Sequence, residues 1–265
     1  MDASFWLKLT LSFIVGCLWV TVTTVSAERF GSRVGGLLGG LPSTVVVALL
    51  FIGLTQSARV AAEATIVMPI AQGLNGLFVL TFMLLVPYGL WAGISSALIL
   101  WLIQSMLLYL LNIREFWISI VSWLVLLLFC LVVLERWMKV TAQDKLRITY
   151  QPRQLLWRAI FGGGVISLAV LMGKLGGPIF GGIFGSFPAM FLTTLVITYI
   201  SGGVVFSRAV GKSILISGLI NVPLYEIIVR MTYPTLGLIA GTVIGLLVSS
   251  GSGYVTYRGM KAWMR

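Results

Sequence analysis

Apolar runs of about 20 residues, the length a helix needs to cross hydrocarbon, recur from one end of this chain to the other. They do not alternate polar and apolar as barrel strands would, so helices are the expected crossing elements. With 59% hydrophobic and only 9% charged residues, one soluble core would not hold the apolar surface, whereas a bilayer solvates it. The fold class read from this pattern is all-α, a polytopic membrane helical bundle of about nine transmembrane helices. The spans are expected near 4–26, 34–55, 57–86, 88–112, 116–135, 155–173, 178–200, 209–231 and 233–256. The third is long enough to tilt or break. Turns are expected at Pro87 with Gly89 and at Tyr233-Pro234.

The residue inventory argues against catalysis. There is no histidine, and Cys17 and Cys130 both sit inside apolar runs, where neither a disulfide framework nor a zinc site is indicated. The seven acids make no close carboxylate pair for acid–base or two-metal chemistry. The expectation is a protein that is not an enzyme and needs no cofactor.

The net charge of +11 fits a topology signal better than a nucleic-acid partner. With the amino terminus outside, Lys8, Arg59, Arg114, Lys174 and Arg230 fall outside, leaving 13 of the 18 basic residues cytoplasmic. That orientation, in the inner (cytoplasmic) membrane, is the expected one. The first apolar run leads into Glu28-Arg29 without a small-residue cleavage site, so no cleavable signal peptide is expected.

The chain also resembles itself. Gly35-Gly36-Leu37-Leu38-Gly39-Gly40-Leu41-Pro42 matches Gly181-Gly182-Ile183-Phe184-Gly185-Ser186-Phe187-Pro188 at an offset of 146, and Asn75 and Asn221 repeat that offset. Arg29-Phe30-Gly31 matches Lys174-Leu175-Gly176, Lys8 and Arg158 open the first span of each half, and Pro87 answers Pro234. The expected organisation is a 4+1+4 inverted repeat. Residues 1–115 form a first four-span unit, 116–136 an inverting transmembrane helix, 137–154 a basic cytoplasmic loop, and 155–265 a second four-span unit with a short basic tail. An odd number of crossings between the copies turns the second upside down, as in many transporters.

Three groups of residues are candidates for function. The first is the glycine-proline segments, with Gly39, Gly40, Pro42, Gly185 and Pro188. Their small residues at four-residue spacing suit close helix packing. The alternative is a broken helix whose freed amides favour an anion. The second group is Asn75 and Asn221, which suit interhelical hydrogen bonding or the walls of a central pathway, with Gln72 and Ser217 extending each polar stripe. The third is Glu63 with Arg59 and Glu226 with Arg230, each one helical turn apart. Both pairs suit structural ion pairing, or a proton- or cation-coupling carboxylate.

Residues 27–32 running into Gly35 to Ser43 resemble a family of small bacterial and archaeal membrane proteins of unknown function. There a charged turn leads into a Gly-Gly-x-x-x-Gly-Leu-Pro helix start. The resemblance covers roughly residues 5–85, with a weaker echo in 155–235, and implies no activity. In architecture alone the chain is similar to small multidrug resistance proteins and to fused fluoride channels, four-span units in antiparallel pairs. Their motifs do not carry over: no glutamate lies between Lys8 and Ala27. Likeness of fold does not determine function.

The leading expectation is a transporter of a small solute, an anion being the class the helix starts would suit, by alternating access between the halves. A channel at the repeat interface and a non-transporting scaffold are the alternatives. The expected partners are the lipid bilayer and the solute or ion, with a homodimer left open and no nucleic acid.

Overall fold

The structure, a computed structural model, describes residues 2–29, 42–138, 140 and 150–263. Those residues form helices and no strand. In chain order they are α1 (Ala3–Arg29), α2 (Ser43–Thr55), α3 (Ala58–Ala64), α4 (Met68–Leu85), α5 (Leu90–Leu111), α6 (Phe116–Val132), α7 (Pro152–Gly176), α8 (Pro178–Gly185), α9 (Ala189–Leu236) and α10 (Leu238–Trp263). A π-helical turn, Val133–Met138, ends α6. Among the described residues seven stretches are long and apolar enough to cross a membrane. The protein is a polytopic membrane helical bundle. Its outward faces carry exposed Leu7, Leu102, Leu110, Leu128 and Leu247, the surface that lipid solvates.

Two expected spans differ from plain helices. Residues 178–200 do not form one helix: α8 stops at Gly185, and α9 starts at Ala189 behind Pro188. Pro188 has no N–H to continue the helical ladder and pushes Phe187 out of helical dihedrals. At Pro188 itself φ is −78° and ψ 48°, and the Ala189 amide donates to the Phe187 carbonyl at 2.8 Å, an inverse γ-turn. The long third span is likewise broken between α3 and α4, ahead of Pro69. The freed Ile70 amide donates instead to Ser119 Oγ on α6 at 3.0 Å.

Within α9 the path turns at Gly203, whose φ of 72° and ψ of −168° suit glycine alone. This divides it into arms 189–202 and 204–236. Pro223, in the second arm, cannot bond the Leu219 carbonyl one turn back. Trp123 Nε1 of α6 donates to that carbonyl at 2.7 Å, so the proline sits inside a span without an orphaned acceptor. The turn before α10 falls at Gly237, with φ 83°, three residues beyond the expected Pro234, which lies in the last turn of α9. Gly89, with φ 126°, makes the corresponding turn before α5.

Two pairs of helices pack closely, and both run antiparallel. Ser12 meets Ser167 at 3.1 Å, Gly163 lies against Phe13 and Cys17, and Arg158 Nε donates to Thr24 Oγ1 at 3.0 Å, so numbers rise along α1 as they fall along α7. Glycine makes that crossing close. A Cβ at Gly163 would sit 2.6 Å from Cys17 Sγ and 2.8 Å from the Phe13 carbonyl oxygen. The second crossing joins α4 to the 204–236 arm, where Met83 packs on Gly211, Gly76 on Leu219, and Gln72 reaches Glu226.

Candidate functional site

Beside that second crossing lies a small cavity lined by Pro42, Ser43, Thr44, Val45, Gln72, Asn75, Ser186, Phe187, Pro188, Met190, Phe191 and Val222. Its volume is about 20 Å³, room for about one water molecule. The lining brings together the amino-terminal turns of α2 and α9. Both follow a proline in the same conformation: Pro42 has φ −73° and ψ 48°. Neither helix start has a side-chain cap, because the position that serine or aspartate would fill is proline. The first-turn amides have no acceptor inside their own helix. Two partial positive charges of about half an electron each therefore face one cavity.

α2 has 13 residues and rises about 20 Å, less than a hydrocarbon core of about 30 Å. Such a half-helix starts inside the bundle, which is what carries its amides to the cavity.

The carbonyl side of the break at Ser186 is already satisfied. Asn75 Nδ2 donates to the Ser186 carbonyl at 2.7 Å and to Gln72 Oε1 at 3.1 Å. Gln72 Nε2 in turn donates to Glu226 Oε1 at 3.4 Å. A chain of four residues thus runs from the cavity to a carboxyl group that is fully buried. The Ser186 hydroxyl, also buried, has no partner among the described residues. The Ser186 carbonyl is thus satisfied, while the Ser186 hydroxyl remains an available donor at the cavity. Phe187 forms one wall and is held edge-on by Trp101 at 4.7 Å and by Phe161 at 5.9 Å.

The candidates read from the sequence divide as follows. Asn75, Pro42 and Pro188 line the cavity, while Gly39 and Gly40 lie outside the described residues. Gly185 packs near Met68, Ala48 and Ala169 instead of lining it. Asn221 sits at the crossing but faces α10: its Oδ1 accepts from Ser252 Oγ at 2.9 Å, and its Nδ2 has no partner among the described residues. Glu63 and Arg59 form the expected pair, 3.2 Å apart, at an exposed position away from the cavity.

Glu226 and Arg230 do not pair. Arg230 donates to the Ala62 carbonyl at 3.1 Å and lies over the Phe116 ring, and Glu226 turns to Gln72. The two side chains, one turn apart on the same arm, reach different neighbours: Arg230 reaches α3 and the Phe116 ring of α6, and Glu226 reaches α4. The lining also takes in Ser186 and Phe187, inside the glycine-proline repeat, and Ser43, Thr44, Met190 and Phe191, just after its two copies, none of which the sequence marks as site residues.

Residues 9–115 match a family described as a protein of unknown function (DUF3147). The matched stretch begins in α1 and ends at Glu115, directly before α6. No curated protein matches the chain, and no solved structure does. No match therefore supports the likeness to fluoride channels or small multidrug resistance proteins.

Proposed function

We propose that the protein is a transporter of a small anion, which binds between the amino termini of α2 and α9 and is released alternately to each side of the membrane. The observation that carries this reading is the convergence of two uncapped, proline-started half-helices on one cavity, with its carbonyl face already satisfied by Asn75. Each such terminus favours an anion by up to about 2 kcal/mol when partly buried. The unpartnered Ser186 hydroxyl adds a donor.

Alternating access draws on the same elements. We read the chain as two inverted copies around α6. The antiparallel crossing of α1 with α7 and of α4 with the 204–236 arm is the relation that inverted equivalents must have. The matched breaks at Pro42 and Pro188, and at Ser57 and Gly203, support it, and so does a family match that stops before α6. In each copy a half-helix of 13 or 14 residues is framed by two breaks. Exchange of conformation between the copies would open the cavity first to one face and then to the other. A cavity that holds about one water suits an occluded state.

Flux in proteoliposomes tests the reading. Uptake of radioactive chloride or nitrate should saturate, and Asn75→Ala should reduce it severalfold. Flux that rises linearly with concentration would instead indicate a channel. No anion flux from well-folded protein removes the anion reading altogether.

A further inference from the structure

We propose that Glu226 is the proton-coupling group of this transporter, and that it senses the anion site through Gln72 and Asn75. The proposal rests on the anion reading above and adds the coupling ion to it.

The carboxyl group of Glu226 is fully buried, and Oε2 has no partner among the described residues. A carboxylate so placed is costly inside a membrane unless a cation or several donors hold it, and among the described residues the donor it meets is one amide, at 3.4 Å. The charged groups around it are otherwise engaged. Arg230, one turn along the same arm, is spent on the Ala62 carbonyl and the Phe116 ring. On α3, Glu63 pairs with Arg59. α2 and α4, both packed on this arm, contain no charged residue. α7 directs Arg158 to Thr24, Thr193 and Thr194, and α10 carries Arg258 near its far end, over Tyr254. On the arm itself stand the hydroxyls of Tyr225 and Tyr233, the latter bonded to Thr242 at 2.8 Å.

The link to the anion site lies in the polarity of two amides. As the chain stands, Glu226 accepts from Gln72 Nε2, which leaves Gln72 Oε1 to accept from Asn75. Both Asn75 N–H groups are then occupied, one by Gln72 and one by the Ser186 carbonyl. This is the arrangement of the ionised carboxylate, which only accepts. When a proton from the aqueous phase adds to a Glu226 oxygen, the carboxylic acid can donate to Gln72 Oε1. Gln72 then presents Nε2 to Asn75, whose amide must swap as well to accept it through Oδ1, and Asn75 Nδ2 leaves Gln72 and the Ser186 carbonyl and is released. Asn75 lines the cavity, so the released donor meets the anion among the half-helix amides. Proton and anion bind together because each favours the same orientation of the relay, and by linkage the coupling is reciprocal.

The test uses the full chain in proteoliposomes with pyranine trapped inside, and chloride or nitrate as the probe. Wild-type protein should acidify the lumen when either anion enters, at a fixed ratio of protons to anions. Glu226→Gln should lower that ratio by about tenfold or more and make the remaining anion flux depend on membrane potential. Gln72→Leu, which cuts the relay but leaves the carboxyl group, should lower the ratio as well. It decides the matter where Glu226→Gln does not fold. A merely structural role for either residue would reduce both fluxes together and leave the ratio unchanged. Wild-type anion flux without acidification, or an unchanged ratio in the variants, overturns the proposal while the anion reading stands. Absence of wild-type anion flux removes both.

Discussion

Pro42 and Pro188, 146 residues apart, hold backbone angles that differ by no more than 5° and stand on the rim of the same cavity. Each stands as the cap residue of a following helix, α2 or α9. Proline in the cap position supplies no side-chain acceptor, so first-turn amides not taken by a local turn, as that of Ala189 is by the Phe187 carbonyl, lack an acceptor within their own helix. The pair gives the cavity two matching walls.

That match has a functional consequence. Pro42→Ala and Pro188→Ala each restore a backbone donor and relax the break, so each should lower anion flux, and by similar factors. Initial rates in proteoliposomes measure this. A loss confined to one position would contradict the equivalence of the two half-helices.

Removal of the Asn75 side chain leaves the Ser186 carbonyl buried without a donor. Asn75→Ala should cost about 1–3 kcal/mol of stability, read by denaturant unfolding in detergent. Asn75→Asp keeps the shape but not the donor and should cost at least as much. If Asn75→Asp were as stable as wild type, the bond to Ser186 would have no energetic role.

Adjacent glycines on α7 should respond oppositely. Gly163→Ala puts a Cβ into Cys17 Sγ and the Phe13 carbonyl, and the backbone oxygen cannot swing aside, so a loss of about 1–3 kcal/mol is expected. A Cβ at Gly164 meets nothing within 4 Å, and Gly164→Ala should be neutral or slightly stabilising. Thermal unfolding of the two variants side by side provides the comparison.

Sidedness tests the inversion itself. Tyr88 and Leu236 are exposed residues next to the corresponding turns at Gly89 and Gly237. Single cysteines at these positions, with Cys17 and Cys130 replaced, should react with an impermeant maleimide from opposite sides of oriented vesicles. Labelling of both from one side would mean that the copies are parallel, and alternating access by exchange of conformations would fail with them.

Much of this was legible in the residues. The apolar runs fixed the helical membrane fold, while the glycine-proline segment 181–188 left close packing and a broken helix both open until the structure showed α8 ending at Gly185. Gly203 was harder to read. One glycine among the 30 in the chain looks like any other until its φ of 72° is seen. The wall residues Phe187 and Phe191 escaped notice for a similar reason, since an aromatic in an apolar span carries no mark of facing a cavity.

What depends on neighbours along the chain was settled by the residues alone: the apolar stretches form helices and the protein is a membrane bundle. Tertiary structure alone decided which side chains meet. Glu226 has Arg230 one turn away, yet it bonds Gln72, 154 residues distant. Helical periodicity sets which residues share a face, but the rotation of one helix against another sets what that face touches, and the rotation comes from packing across the whole bundle.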